Sequence, residues 1–171
     1  VESVAREIAG AIDDYKVVVE KSTVPVYTNS WIRKVMLLNG TAAELFDVAS
    51  NPEFLREGSA VADFMRPDRV VLGATRRADA ELVATLYISL QAPILITDPR
   101  TAEMIKYASN AFLATRVAFI NEIAAVCEKV GADVKEVARG MGLDPRIGSS
   151  YLDAGLGYGG SCLPKDGRAL E

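Results

Sequence analysis

The segment that decides the fold is DPRTAEMIKYASNAFLATRVAFINEIAAVCEKVG, residues Asp98–Gly131. Aspartate followed by proline favours a helix start, because the carboxylate caps free N–H groups and proline is tolerated at the first helical position. Neither glycine nor proline intervenes before Gly131, so the segment predicts one helix of about 30 residues, on the order of 45 Å long. A helix of that length indicates a connection between domains or a dimer surface.

Short apolar strands alternate with helices before this segment. The predicted strands are Lys16–Lys21, Phe46–Ala49, Arg69–Gly73 and Ile94–Thr97, and the predicted helices between them are Thr28–Leu38 and Arg77–Leu90. This alternation favours an α/β domain whose parallel sheet is built from βαβ units. Two shorter helices are predicted after the long one, at 133–141 and from Pro164 onward. The predicted domains are therefore residues 1–97, with the sheet, and residues 98–171, all helical.

Histidine is absent from all 171 residues. Its absence excludes Ser-His-Asp and Cys-His catalysis, ordinary zinc sites and imidazole acid–base chemistry. No metal ion is therefore expected, and proton transfer falls to Asp, Glu, Lys, Tyr, Cys or hydroxyl groups. Because 19 Lys and Arg are outnumbered by 23 Asp and Glu, nonspecific nucleic-acid binding is not expected.

Two cysteines are too few for a disulfide framework and suit a reducing, cytoplasmic compartment. No uninterrupted apolar run reaches the roughly 18 residues of a transmembrane helix, so no membrane partner is expected. The first 14 residues mix charged and apolar side chains, unlike a signal peptide. The chain lacks an initiator methionine and starts inside a predicted helix, which predicts a fragment of a longer protein.

The loop Gly155–Gly160 (GLGYGG) matches the G-x-G-x-x-G pattern of a dinucleotide fingerprint. Such a fingerprint needs a strand before it, a helix after it, and an acidic residue about 20 positions further on. Tyr151–Ala154 is a poor strand and only eleven residues follow Gly160. The favoured interpretation is a loop that lets a ligand approach bare backbone.

Three pairs of functional side chains lie four residues apart, so in a helix each pair shares one face. The pairs are Glu53 with Glu57, Lys106 with Asn110, and Cys162 with Asp166. Adjacent glutamates more often form a solvated face than a site. The lysine and asparagine are either surface residues or functional groups, and their helix is apolar nearly all round. Polar groups on such a helix need partners.

Cys127 and Cys162 differ in their surroundings. Cys127 lies in an apolar stretch and is typical of a small buried hydrophobe. Cys162 follows two glycines at the predicted start of a helix, with Lys165 nearby, where a thiolate is favoured. Cys162 is therefore the candidate nucleophile. A redox sensor is a weaker alternative, because no resolving cysteine is near it in the sequence.

Motifs in one order along the chain resemble the UDP-glucose/GDP-mannose dehydrogenase family. They are Lys21–Pro25 (KSTVP), Asn51–Gly58 (NPEFLREG), Lys106–Asn110 (KYASN) with Phe119–Glu122 (FINE), and Gly159–Asp166 (GGSCLPKD). The resemblance covers nearly the whole chain. It implies the second half of a Rossmann-like NAD-binding domain followed by most of a central helical dimerisation domain. We expect little or no turnover from this chain alone.

The resemblance implies a four-electron oxidation of UDP-glucose to UDP-glucuronate with NAD as the cofactor, in nucleotide-sugar metabolism and polysaccharide biosynthesis. Cys162 would add to the intermediate aldehyde as a thiohemiacetal, and the resulting thioester is hydrolysed by water. Lys106 and Asn110 would stabilise the oxyanion. Asp166 and Glu53, with Thr23 through a water, are candidates for proton transfer and water activation, and the identity of the base stays open among them.

The resemblance also implies the binding residues. Glu57 and Lys165 are expected near the nicotinamide side of the cofactor. Besides Lys106 and Asn110, the residues expected at the sugar nucleotide are Phe54, Leu55, Tyr151–Gly155 and Gly159. Arg146 either reaches the substrate across a homodimer that forms through the long helix, or only caps a helix end.

Two positions depart from the family pattern. Tyr27 stands where members often have glycine, so we expect a different approach of the backbone to the cofactor. Leu163 stands where UDP-glucose enzymes usually have phenylalanine and the GDP-mannose branch often has leucine. The alternatives are therefore a GDP-mannose or UDP-N-acetyl-mannosamine dehydrogenase, or, in a different class, a non-catalytic dimerisation core.

Overall fold

A computed structural model describes residues 1–170 of the chain. The chain forms two compact units, residues 1–106 and the residues from 107 onward. The elements in chain order are α1 (Glu2–Ala11), β1 (Lys16–Glu20), α2 (Thr28–Leu38), β2 (Phe46–Ser50), α3 (Ala60–Met65), β3 (Val70–Ala74), α4 (Arg77–Ala84), a 3-10 helix (Thr85–Leu90), β4 (Ile94–Thr97), α5 (Pro99–Val130), α6 (Val134–Gly142) and α7 (Cys162–Arg168).

The first unit contains one four-stranded sheet in the order β1-β2-β3-β4. The outer pairs, β1 with β2 and β3 with β4, are parallel, as predicted. The middle pair, β2 with β3, is antiparallel, where the βαβ pattern predicted a parallel pair. Parallel pairing needs a crossover helix packed on the sheet. The helix between β2 and β3 is the six-residue α3, which has no buried residue, so the chain returns without crossing a face.

Two apolar clusters form the core of this unit. In the first, α1 and α2 pack on the β1–β2 half of the sheet around Met36, Phe46 and Val48. In the second, α4 covers β3 through Leu72, Ala80 and Val83. The predicted helix over residues 77–90 becomes 3-10 after Ala84. There the Thr85 hydroxyl donates to the carbonyl of Leu82 (2.6 Å) and competes with regular helix bonding.

The long helix α5 begins as its sequence predicts. The backbone N–H of Thr101 donates to Asp98 Oδ1 (3.1 Å), and the Thr101 hydroxyl donates to the other carboxylate oxygen. The start of α5 packs directly on β3, because a Cβ atom built on Gly73 would lie 2.6 Å from Ala102 Cβ and 2.7 Å from the Asp98 carbonyl oxygen. Glycine at position 73 therefore permits this close approach.

The second unit comprises most of α5 together with α6 and α7. Asp133 caps α6 by accepting the N–H of Lys135 (2.8 Å). The Arg116 guanidinium on α5 donates to the carbonyls of Ile147 (2.7 Å) and Gly148 (2.8 Å), which ties the turn after α6 to the long helix. A turn at Asp144-Pro145 follows α6, with the N–H of Ile147 donating to the Asp144 carbonyl (2.9 Å).

By length and composition alone, helix α5 is long and apolar enough to cross a membrane, although polar residues interrupt its apolar sequence. In its most apolar 18-residue window, 17% of the residues are buried within the chain. Core helices of soluble proteins meet the same criterion. The expectation of no membrane partner therefore stays a prediction.

Candidate active site

Functional side chains in the first unit gather after the carboxyl ends of β1 and β2. These strands run parallel and end at Glu20 and Ser50. Ligands of open α/β sheets bind outside the carboxyl ends of the strands. Thr23 follows β1 in a partly buried loop, and Glu53 follows β2, so two of the predicted site residues lie at this edge.

Lys106, on α5, is the buried cation of this cluster. Its side chain is 6% exposed, and its Nζ lies 3.5 Å from Glu53 Oε1. Its Nζ also lies 5.3 Å from the ring centroid of Phe54. The guanidinium carbon of Arg69 lies 3.9 Å from the same centroid. The expectation that polar groups on this apolar helix have partners is met for Lys106. A buried ammonium so held is able to donate to a developing oxyanion.

Glu53 and Glu57 do not lie on a helix face, contrary to the interpretation of their spacing. Residues 51–56 are irregular and 57–59 form a turn, because Pro52 and the positive φ of Gly58 (84°) interrupt a helix. Glu53 Oε2 accepts the N–H of Leu55 (2.6 Å), which bends the segment locally. Glu57 is exposed in the turn, and Leu55 is also exposed.

Asn51 was not singled out from the sequence, yet it organises this edge of the sheet. It is buried, and its Nδ2 donates to the carbonyl of Val71 on β3 (2.9 Å). Its Oδ1 accepts from Lys21 Nζ (3.3 Å) and from the hydroxyl of Tyr87. Burial lowers the pKa of Lys21. An asparagine between a buried strand and a proline is the local signal that could have identified it.

A second missed pair is formed by Glu20, the last residue of β1, and Glu103 on α5. Both are buried, and Glu103 is 3% exposed. The Glu103 carboxylate accepts the N–H groups of Tyr27 and Asn29, each at 2.8 Å. Burial raises the pKa of both glutamates, that of Glu20 to about 7 with a further contribution from the charge of Glu103. An acidic residue on an apolar helix was the available signal.

The second unit holds Asn110, Asp166 and Lys165. Asn110 is 8% exposed and Asp166 is 1% exposed. Asn110 Nδ2 donates to Asp166 Oδ2 (2.6 Å), and Lys165 Nζ pairs with Asp166 Oδ1 (2.9 Å). The contact with Asp166 raises the pKa of Lys165. Asn110 therefore also has a polar partner, as predicted for polar side chains on this apolar helix.

Cys162 and Asp166 lie one turn apart on α7, but they differ in exposure, since the thiol is exposed and the carboxylate is buried. The Oγ of Ser161 lies 3.7 Å from the sulfur. Cys127 is buried, as its apolar surroundings predict. The exposed thiol is the one available for covalent chemistry.

The glycine-rich loop before α7 is anchored to α5 at its start. Asn121 Oδ1 accepts the N–H of Gly155 (3.0 Å), and Leu152 is buried, while Gly159 is exposed. Tyr151 has a φ of 61°, in the left-handed region. The loop exposes bare backbone after Gly155, as expected for ligand approach.

Arg146 lies on the exposed turn after α6. Its guanidinium Nη2 donates to Asp144 Oδ2 (2.6 Å) and its Nε to Asp144 Oδ1 (3.0 Å). Within this chain Arg146 therefore stabilises the turn, which is compatible with either role considered for it. Residues 1–170 contain no group of three or more His, Cys, Asp or Glu side chains that could hold a metal ion.

The residues after β1 and β2 fit part of an NAD site. Lys21 and Thr23 follow β1, and Glu53 follows β2 at the same edge. A cation, a hydroxyl group and a carboxylate match the phosphate, ribose and carboxamide groups of a dinucleotide. This donor set is compatible with the cofactor that the sequence predicts.

Comparison with known proteins agrees with the sequence motifs. Residues 1–91 match the NAD-binding domain, and residues 100–171 the central domain, of the UDP-glucose/GDP-mannose dehydrogenase family. The UDP-glucose 6-dehydrogenase of Rhizobium meliloti (strain 1021) is 54% identical over an alignment of 172 positions that covers 97% of this chain and 39% of that protein. The UDP-glucose 6-dehydrogenase TuaD of Bacillus subtilis (strain 168) is 51% identical over 170 residues, 99% of this chain and 37% of that protein.

Among solved structures, a UDP-glucose dehydrogenase from the hyperthermophilic archaeon Pyrobaculum islandicum matches with a TM-score of 0.95 and 44% identity. The match covers 99% of this chain and 40% of that one, so the chain spans about two fifths of the length of these relatives. The predicted α/β fold and the predicted family are confirmed. The chain belongs to the UDP-glucose/GDP-mannose dehydrogenase family.

Proposed function

We propose that this chain forms part of an NAD-dependent UDP-glucose 6-dehydrogenase that oxidises the C6 hydroxymethyl group of UDP-glucose to the carboxylate of UDP-glucuronate. Two relatives of that name share more than half of their aligned residues with this chain, and the alignments cover nearly all of it. The observation that carries the proposal is the pair of buried polar groups on α5, since Lys106 is held by Glu53 and Asn110 by Asp166. Such donors suit a reaction in which an oxyanion develops.

Bound NAD⁺ supplies the hydride acceptor for the two oxidations. Cys162 Sγ forms a bond to the aldehyde carbon, the carbonyl electron pair moves to oxygen, and the thiol proton passes to a carboxylate. Lys106 and Asn110 stabilise that oxygen. In the second oxidation a hydride leaves the carbon of the thiohemiacetal, its oxygen reforms the carbonyl, and the thioester results. Water then attacks the thioester carbon, the carbon–sulfur bond breaks to return the Cys162 thiolate, and the carboxylate product leaves. Asp166 and Glu53, with Thr23 through a water, hold and transfer the protons of these steps.

The binding roles follow the same assignment. Residues 1–97 form the cofactor-binding domain and residues 98–171 form the central domain. The exposed Glu57 of the first and Lys165 of the second lie near the nicotinamide end of the bound cofactor. The substrate residues are Phe54, Leu55, Tyr151, Gly155, Gly159 and Arg146. Both cysteines are free thiols, which suits a cytoplasmic location.

A homodimer through α5 is part of the proposal. Phe112, Phe119 and Val126 lie at seven-residue intervals on this helix, and each is at least 47% exposed. An apolar stripe at that spacing matches the contact surface of a paired helix. Phe119→Asp should convert the dimer to monomer in analytical ultracentrifugation, whereas Glu128→Gln on an exposed position should not. Dimers that survive Phe119→Asp would contradict this interface.

The experiment on function is NADH formation by the full-length enzyme that contains this sequence. With UDP-glucose we expect two NADH per sugar nucleotide, and we expect slower turnover with GDP-mannose and UDP-N-acetyl-mannosamine. The 171-residue chain alone should show little or no turnover. Faster turnover with GDP-mannose would move the assignment to that branch of the family. No turnover with any of the three would leave the dimerisation core as the better description.

A further inference from the structure

Glu103 connects α5 with the turn before α2 and with the first turn of α2. It lies on α5, three residues before Lys106. The backbone N–H of Tyr27 donates to its Oε2 and that of Asn29 to its Oε1, both at 2.8 Å. All of these residues belong to residues 1–106, and the carboxylate is buried.

The contact supplies the cap that α2 lacks. The residue before this eleven-residue helix, Tyr27, makes no capping hydrogen bond with its side chain. Helix N-termini leave free N–H groups and carry partial positive charge, so a carboxylate is the favoured partner. Because both Glu103 oxygens are used, the start of α2 is held in position and orientation against α5.

The same contact fixes the turn that carries Thr23. The Thr28 N–H donates to the carbonyl of Pro25 (3.1 Å), as does its hydroxyl (2.6 Å), and Val24 is buried. At the other end of the turn, the N–H of Asn51 donates to the carbonyl of Glu20 (2.7 Å). The turn is therefore tied to β2 where it begins and to α5, through Glu103, where it ends.

We infer that Glu103 is a positioning residue for the dehydrogenase, which holds the Thr23 turn in register with the segment of α5 that carries Lys106. The inference rests on the proposed function, in which Thr23 and Lys106 act in the same reaction. Glu103 itself touches backbone N–H groups rather than substrate or cofactor.

Glu20 is the acidic neighbour of this cap. Glu20 Oε1 has no hydrogen-bond partner among residues 1–170, and the charged side chains that face it are Glu103 and Lys21. Burial raises the pKa of Glu20 to about 7. Glu103 has two N–H donors and faces Arg100, which oppose the effects of burial and of Asp98 on its pKa. The pKa of both carboxyls is raised, and the two N–H donors of Glu103 favour its charged form.

The test is a double-mutant cycle in the full-length enzyme with Glu103→Gln and Thr23→Ala. We expect Glu103→Gln to lower kcat about 10- to 100-fold while KM for UDP-glucose stays within about two-fold, because misplacement by a fraction of an ångström affects the chemical step. The double variant should be no slower than Thr23→Ala alone, since residues that act as one unit are not additive. If Glu103→Gln does not fold, Glu103→Asp, which keeps the charge, should show the same KM and a smaller fall in kcat.

The matched control is Asp133→Ala, which removes the side-chain cap of α6 and should lower stability without changing kcat. An unchanged kcat in folded Glu103 variants, or effects that multiply with those of Thr23→Ala, would overturn the inference. If the unsubstituted enzyme forms no NADH from UDP-glucose, the proposed function itself fails. The two failures are thus distinguishable.

Discussion

The polar clusters of the two units are held in different ways. In residues 1–106, Lys106 and Glu53 lie among groups fixed by the backbone of the sheet, through Asn51 bonded to β3 and Glu103 bonded to the start of α2. In the residues from 107 onward, the side chains of Asn110 and Lys165 hold Asp166. The difference implies that the first cluster tolerates the loss of one side chain better than the second.

The same comparison separates positioning from chemistry. The first cluster is built on strand ends, where main-chain hydrogen bonds leave little freedom. The second carries an exposed thiol on the seven-residue α7, preceded by a loop in which Gly157 and Gly160 have positive φ. Substitution of the exposed thiol on α7 should therefore change activity with little effect on stability.

Cys162→Ser provides the largest expected effect. Loss of the proposed nucleophile should reduce formation of UDP-glucuronate by the full-length enzyme by at least about 10⁴-fold, because the covalent intermediate cannot form without it. The dissociation constant for UDP-glucose and the free energy of unfolding should stay nearly constant, since the thiol is exposed.

Cys127→Ser is the matched control for Cys162→Ser. It places a hydroxyl at a buried position and should cost about 1–3 kcal/mol of stability with activity retained. Equal loss of activity in the two variants, measured by product formation, would contradict the assignment of the nucleophile.

Lys106→Met and Asn110→Leu compare the two clusters directly. Each removes one donor to the oxyanion and should slow turnover about 100- to 1,000-fold. Asn110→Leu should also cost about 2 kcal/mol of stability, because it takes a hydrogen bond from the fully buried Asp166. Lys106→Met should cost less, because the Glu53 carboxylate it leaves is partly exposed to water. Urea unfolding of both variants measures the difference, and equal losses would refute the comparison.

Local sequence signals predicted much of the fold. Helix α2 spans the predicted residues 28–38, and α5 runs from Pro99 to the residue before Gly131, with Asp98 as its cap. Periodicity, capping and helix-breaking residues act within a few residues of the chain, so one sequence contains the necessary information.

Contacts between distant segments were not predictable in the same way. The antiparallel pairing of β2 with β3 depends on how α3 fails to pack on the sheet, and the partner of Glu53 is Lys106 on α5. Glu103 meets the N-terminus of α2 from 74 residues away along the chain. The type of residue was a signal in each case, but its partner was set by the tertiary fold.

The pH dependence of stability tests the buried carboxyl pair of the first unit. Because the pKa of Glu20 is raised from 4.5 to about 7, the folded chain binds a proton more tightly than the unfolded chain. The free energy of unfolding should therefore be highest below about pH 4.5 with respect to this group and fall by about 2–3 kcal/mol as the pH rises to about 7. In Glu20→Gln that fall should be absent. The free energies of unfolding of the unsubstituted protein and of Glu20→Gln are measured by urea unfolding at each pH, and the contributions of the other titrating groups cancel in their difference. Parallel curves for the two would show that Glu20 does not retain its proton.

Tyr27 and Tyr151 give the smallest expected effect and compare the backbones of the two units. Both occupy the left-handed region, with φ values of 80° and 61°. A side chain with a Cβ atom costs about 1–2 kcal/mol there compared with glycine. Tyr27→Gly should therefore be more stable than Tyr27→Ala by about 1 kcal/mol, and this pair cancels the loss of the Arg100 contact with the ring. If Tyr151→Gly and Tyr151→Ala differ by much less in urea midpoint, the backbone of the loop before α7 relaxes in the alanine variant. An equal difference at both positions would instead show that the two backbones are held equally firmly, which contradicts the distinction drawn between the clusters.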